Sequence, residues 1–414
     1  MTRLTRESCA ARDHRDPLAA RRAAFTLPEG VIYLDGNSLG ALVASVPARM
    51  QRAVEDEWGR GLIRSWNDAG WYPAPLRVGA KIAALIGAQP GEVVACDSTS
   101  VNLFKVLVAA LRMRPRRRVI LGELGNFPTD MYVAQGVAEL MGAELQCVAH
   151  DDVERTIDAL GERLAVVTLT EVNYKTGRLH DMRAITAAAH RAGALTAWDL
   201  AHSAGTLPVR LNDCKADFAV GCGYKYLNGG PGAPAYVFVA QRHLAHVQQP
   251  IAGWHGHAKP FAFTQGWQAH GGIDRMLVGT ASQLAMIALE EALTVFDGVD
   301  LMELRRKGSE LGDLFIALID QELADHGFGI ASPREAARRG SQVALEHEHG
   351  YAIVQALIAR GVIGDFRAPD ILRFGFAGLY VRHVDVWDAV AQLADVMRTH
   401  AWDRPEFVER KAVT

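Results

Sequence analysis

Hydrophobic and polar positions along this chain change rhythm near residue 280. Between about 90 and 240, short apolar runs recur at 93–96, 119–121, 145–148, 165–169, 195–198, 218–220 and 235–239. Each is nearly continuous rather than alternating, as strands are when both faces are buried. Helical spacing fills several of the intervals. In the stretch 182–192, Ile185, Ala188, Ala189 and Ala192 share one face. Alternation of this kind predicts βαβ units, hence an α/β fold whose large domain holds a mainly parallel seven-stranded sheet flanked by helices.

Beyond 280 the pattern coarsens. A helix apolar nearly throughout is predicted over 281–296, stopped near Gly298, followed by an amphipathic helix over 301–323. Strands at 342–345 and 371–374 and helices at 350–360 and 384–397 predict a small α+β domain. The polar, Arg/Ala-rich start, to about Leu27, reads as a surface helix. A short strand at 31–34 leads into Asp35-Gly36-Asn37-Ser38-Leu39-Gly40, a loop, and the tail after His400 is expected to pack little. The expected division is an N-terminal segment 1–45, a large domain 46–285 and a small C-terminal domain 286–414.

Composition narrows the function classes. The 414 residues are 49% hydrophobic and 22% charged with net charge -3, which leaves no basic excess for a nucleic-acid partner. The run Arg112, Arg114, Arg116, Arg117, Arg118 reads as a solvated turn before a strand. No run has the length of a membrane span, and the N-terminus lacks the apolar stretch of a leader. Five cysteines, none at CxxC spacing, argue against a disulfide framework or a zinc site and favour a reducing cytoplasm. The pairs His255/His257 and His347/His349 have no companion ligands at sensible spacing, so no metal is expected.

Chemistry gathers where the apolar runs stop. Ligands of open α/β sheets sit outside the carboxyl ends of the strands. One run ends in Asp199-Leu200-Ala201-His202, placing a carboxylate where it could hold a proton on a pyridine nitrogen. Another delivers Tyr224-Lys225-Tyr226-Leu227-Asn228-Gly229-Gly230-Pro231-Gly232, and a lysine at a strand end before a glycine-rich loop is suited to a Schiff base. Read singly, Asp199 is equally an N-cap and Lys225 an exposed turn residue; the two strand ends together favour chemistry. Ser98-Thr99-Ser100 opens a helix that could cradle a phosphate or simply cap it. Phe127, after the run at 119–121, could stack on a planar ring or belong to the core, and Thr170 could reach the same place.

These residues together resemble the fold type I enzymes of pyridoxal-5′-phosphate (PLP), in the class V aminotransferase branch, and within it the kynureninase family. The resemblance rests on Thr-Ser-Val-Asn-Leu at 99–103, Phe-Pro-Thr-Asp at 127–130, Asp-x-Ala-His at 199–202, Tyr-Lys-Tyr-Leu-Asn at 224–228, Gly-Trp-x-Gly-His at 253–257 and Leu-Arg-Phe-Gly at 372–375. It spans nearly the whole chain. It implies that Lys225 carries PLP, that Asp199 pairs with the ring nitrogen beside His202, and that Phe127 stacks on the ring with Thr170 flanking. Thr99, Ser100 and Tyr224 would hold the phosphate, Asp130 would lie near the 3-hydroxyl side, and Arg373 would bind the substrate α-carboxylate. Trp254 and Thr280 match positions that reach the cofactor of the other subunit, so a homodimer with a shared site is implied.

The implied reaction is hydrolytic Cβ–Cγ cleavage of L-kynurenine, or 3-hydroxykynurenine, to anthranilate (or 3-hydroxyanthranilate) and L-alanine in tryptophan breakdown, the kynurenine pathway that also feeds NAD biosynthesis. Lys225 would move the α-proton, water would add at the γ-carbonyl, and Tyr224 would donate or relay a proton. Thr280, where some relatives have asparagine, would line the aryl end, and the resemblance implies a preference for kynurenine. The nearest alternative is a cysteine desulfurase or selenocysteine lyase. Those stack the ring with a histidine, place a histidine before the lysine and use a late cysteine; here the positions hold Phe127 and Tyr224, and no cysteine follows Cys222. An aminotransferase on the same fold is separable only by a substrate assay.

Overall fold

The computed structural model describes residues 3–410. Its centre is a seven-stranded sheet of β1 (Val93–Ala95), β2 (Val119–Glu123), β3 (Glu144–Val148), β4 (Leu164–Thr170), β5 (Leu195–Asp199), β6 (Phe218–Gly221) and β7 (Tyr236–Val239). The order is β1-β7-β6-β5-β4-β2-β3, and only β7 runs antiparallel to its neighbours. Successive residues of each strand feed opposite faces. Val94, Val166, Ala197 and Val220 pack with Leu103, Val106 and Leu107 of helix α2 (Thr99–Met113), while Val93, Val167, Trp198 and Ala219 pack into the core on the other side. That double burial is why the runs are continuous rather than alternating.

Helix α1 (Arg6–Asp13) precedes this domain. Helix α3 (Pro128–Met141) follows β2, and α4 (Met182–Arg191) precedes β5. The helix predicted over 281–296 is α-helical as α5 (Gln283–Ala292) and tightens into a 3₁₀ turn over Leu293–Phe296. Then come α6 (Leu301–Glu322), β8 (Gly329–Ile330), β9 (Gln342–Glu346), α7 (Gly350–Ala359), β10 (Asp365–Arg367), β11 (Ile371–Gly375) and α8 (His383–Arg398). The four strands form an antiparallel sheet, order β8-β9-β11-β10. Ile32–Tyr33 pairs in parallel with Val362–Ile363, which ties the loop at 35–40 to this smaller unit.

Three polar stretches depart from expectation. The N-terminal stretch is not one surface helix. α1 stops at Asp13, Cys9 is fully buried, and a 3₁₀ turn follows at Ala19–Ala24. Asp13 accepts hydrogen bonds from the backbone N–H groups of His383 (2.7 Å) and Val384 (3.0 Å), capping α8, and Asp16 pairs with buried Lys307 at 2.7 Å. The tail packs more than expected, with Trp402 stacked on His349 at 4.2 Å and a short helix, Pro405–Val408, against α7. Within the basic run, half-buried Arg117 donates to the carbonyls of Gly161, Leu164 and Ala192 at 3.0, 2.9 and 2.7 Å, stapling three segment ends.

Candidate active site

The strand register places the chemistry. Thr170 of β4 lies opposite Asp199 of β5, and Asp199 opposite Val220 of β6, so three strands finish level with one another. Outside these ends lies a cavity of about 490 Å³ lined by Ser98, Thr99, Ser100, Phe127, Asp130, Asp199, Tyr224 and Lys225, among others. Ser98 caps α2 by accepting from the Val101 N–H at 3.3 Å, and the start of that helix, with the Thr99 and Ser100 hydroxyls, faces the cavity. Such a terminus with unused N–H groups attracts an anion. The Lys225 segment is held from outside by the 35–40 loop, where the Gly40 N–H donates to the Tyr224 carbonyl at 2.8 Å. A side chain on Gly40 would stand 2.3 Å from the Lys225 carbonyl oxygen, so only glycine fits.

Two buried acids face each other. Asp199 accepts from the Ala201 N–H at 2.7 Å and otherwise meets Asp130. Burial and the neighbouring Asp199 push Asp130 well above the carboxylate range. Burial also raises Asp199, although Lys225 and the Ala201 N–H oppose it. Asp199 thus has few protein donors, and a cationic ring N–H placed against it would supply the missing partner and favour its ionised form.

His202 connects Lys225 to the small sheet. The Gln342 side-chain amide donates to the Tyr174 carbonyl at 2.9 Å, so its oxygen faces His202 Nδ1 at 3.1 Å. That oxygen only accepts, so Nδ1 carries the hydrogen and Nε2 presents a lone pair to Lys225 Nζ at 3.0 Å. Burial, then Lys225 and Arg373, hold His202 well below its ordinary range, so the ring is neutral. Lys225 Nζ also lies 5.8 Å from the Phe127 ring centroid and 5.9 Å from that of Tyr224. Burial pushes the Tyr224 phenol up and keeps it protonated.

The remaining candidates sit further out. Thr170 is buried beside Asp199, and its hydroxyl has no partner. Arg373 is buried behind the cavity wall, held bidentately by Asp365, with further donation to Ser38 at 3.0 Å and to the Tyr174 carbonyl. Trp254 and Thr280 do not line the cavity of their own chain; Trp254 stacks on His255 at 4.7 Å, and Thr280 is exposed. Sequence reasoning missed Asp97, Thr129, Ala201, Cys222 and Gly232 in the lining, and the bridging Gln342. The first five adjoin recognised motifs; Gln342 carried no local signal.

Comparison with known proteins now decides the family. The model for the kynureninase C-terminal domain matches residues 304–393. Kynureninases of Burkholderia pseudomallei strain K96243 and Pseudomonas fluorescens are each 51% identical to this chain, over 99% of it and 100% of their own length. The chain belongs to the kynureninase family. Similar solved structures include a cysteine desulfurase of Thermococcus onnurineus NA1 (TM-score 0.78, 18% identity, 92% of this chain and 98% of that one) and a C-DES mutant with glycine covalently linked to the PLP cofactor (0.77, 17%, 90% and 99%). At such identity they establish the fold, PLP fold type I, and not the desulfurase reaction. A kynureninase uses PLP, and the residues here fit that group: an anion cradle at α2, an acid pair for a ring nitrogen, an unpartnered Thr170 hydroxyl, and a lysine between them.

Proposed function

We propose that this chain cleaves L-kynurenine to anthranilate and L-alanine with PLP held in the cavity at the ends of β4, β5 and β6. Bound there, PLP supplies a cationic ring that accepts the electron pair left at the substrate α-carbon. The observation that carries the reading is the row Asp130, Asp199, Lys225, His202, which joins a buried, donor-poor acid pair to an amine facing a neutral imidazole.

Asp199 keeps a proton on the ring nitrogen, and Asp130, which lies against Asp199, supports it and would stand near the 3-hydroxyl side of the ring. Lys225 anchors the cofactor and, once released, moves the proton from the substrate α-carbon, oriented by His202 Nε2. Thr99 and Ser100 at the start of α2, with Tyr224, hold the phosphate. Phe127 and Thr170 flank the ring. Tyr224, whose phenol burial keeps protonated, donates a proton to Cβ of the alanine fragment. Arg373, poised by Ser38 and Asp365, takes the α-carboxylate.

The site is completed in a homodimer, where Trp254 and Thr280 reach the cofactor of the other subunit. Support comes from an exposed apolar surface around Trp254. Trp66 and Phe261 touch its ring, and Ile63 and Phe263, close by in sequence, are 77% and 86% exposed. Thr280 favours kynurenine over 3-hydroxykynurenine, the enzyme works in the cytoplasm, and segments 1–45, 46–285 and 286–414 act as clamp, cofactor domain and substrate-side domain. No helix among the described residues is long and apolar enough to cross a membrane.

The test is a spectrum of the purified protein before and after L-kynurenine. A near-visible band that borohydride removes, fixing label on Lys225, followed by anthranilate fluorescence with equimolar alanine, is the expected result. A yellow protein that releases no anthranilate would sink the kynurenine reading and leave PLP binding standing.

A further inference from the structure

Away from the cavity, three other strand exits meet. Glu123 ends β2, His150 follows β3, and His180 closes the excursion between β4 and α4. One ligand atom from each lies within 4.8 Å of the others, the only such group of three among the described residues. Glu123 Oε1 is 3.1 Å from His150 Nδ1, and Oε2 is 2.8 Å from His180 Nε2. The two imidazoles stack at 3.9 Å. Glu123 and His180 are buried, while His150 is half-buried beside a groove of about 500 Å³ that Asp151, Glu154, Arg178 and Arg338 also line.

We propose that Glu123, His150 and His180 bind one divalent transition-metal ion, zinc being the ion this donor set suits best, with water from the groove as the fourth ligand. Two imidazole nitrogens and a carboxylate, with one open position, form a set that tetrahedral zinc accepts. Ligands about 2.1 Å from such an ion stand about 3.4 Å apart, so ligand atoms within 4.8 Å of one another can close on it with small side-chain movements. On binding, the hydrogens that face Glu123 move to the opposite ring nitrogens. Arg178, which lines the groove, is already paired with Asp151.

The site would act on the reaction at a distance. Glu123 is four residues before Phe127, and the excursion that His180 closes carries Asn173, whose side chain donates to the Gly125 carbonyl at 3.0 Å, and Tyr174, which touches Phe127. An ion would tie together the loops that hold the ring-facing phenylalanine without touching the cofactor.

The experiment is equilibrium dialysis of chelator-stripped holoenzyme against zinc chloride, with thermal melting alongside. The expected result is one zinc per chain and a raised melting temperature. In His150→Ala, which removes a half-exposed side chain from a turn, affinity should fall by at least about tenfold, the loss that even a supporting residue causes at a metal site, with the melting shift abolished. Glu123→Gln should do the same, and His349→Ala should bind as the parent does. No retained zinc, or retention unaffected by His150→Ala, would each overturn the proposal. None of these readouts depends on turnover, so the result is independent of the kynurenine reading.

Discussion

Two buried aspartates at opposite ends of adjacent strands behave in opposite ways. Asp199 closes the carboxyl end of β5, and Asp217 immediately precedes β6 at its amino end. Both are shielded, and burial alone would raise both. Asp217, however, accepts from His190 and His243 at 2.8 Å, Arg242 at 2.7 Å and the Thr196 N–H at 2.9 Å. Those donors overturn the burial cost and hold it below the usual carboxylate range. Asp199 receives one backbone N–H, faces a second acid and is raised. Charge is closed within the protein at the amino end of the sheet and left open to a ligand at the carboxyl end. Burial therefore does not separate structural from functional acids; the count of protein donors does.

Exchanging each acid for its amide should break this contrast cleanly. Asp199→Asn removes the group that keeps a ring nitrogen protonated, and anthranilate formation should fall by about 10²–10³-fold, the range for losing one preorganised electrostatic contact, with the melting temperature held or raised. Near-parental turnover in that variant would remove Asp199 from the chemistry. Asp217→Asn should do the reverse, keeping activity per folded molecule and losing about 2–3 kcal/mol in denaturant titration. This lies at or below the low end for a broken buried pair because Arg242 retains water. The sign with pH follows. A carboxylate lowered by folding contributes fully above its unfolded value near 4, and the contribution is lost as pH falls. The gap between parent and Asp217→Asn should thus shrink as pH falls below about 4; a gap that keeps widening below that point would contradict the account.

Much of this was legible in the chain because strands buried on both faces announce themselves as unbroken apolar runs. All seven large-sheet strands came within two residues of the predicted positions, and a chemical residue at the end of such a run, Asp199 or the Lys225 segment, stands out by contrast. What stayed hidden was assembled across strand exits. Asp130 meets Asp199 from 69 positions away, and Glu123, His150 and His180 come from three separate strand ends and the loops beyond them, so no spacing betrays them. The N-terminal clamp was misread for a different reason: its docking runs through Asp13 and Asp16 onto α8 and Lys307, and low local hydropathy looks like a free surface when the contacts are polar.

Gln342 provides the smallest expected effect and the finest test of how the carboxyl-end site is tuned. It comes from β9, yet it alone fixes which nitrogen of His202 carries the hydrogen, and so whether Lys225 meets a lone pair or a second donor. Gln342→Leu removes both the acceptor at His202 Nδ1 and the donor to the Tyr174 carbonyl, each worth about 1 kcal/mol, so kcat should fall roughly fivefold to tenfold and the melting temperature should drop modestly. Gln342→Glu keeps the shape and adds a charge. A carboxylate at Nδ1 stabilises the imidazolium, raises His202 and brings a positive ring against Lys225, so the acid limb of the pH–rate profile should move to higher pH. A merely structural glutamine would lower stability in both variants and leave that limb where it was. A shifted limb in Gln342→Glu alone, with Gln342→Leu slowed at every pH, would mean that the small sheet sets the protonation of the catalytic lysine's neighbour as well as covering the substrate.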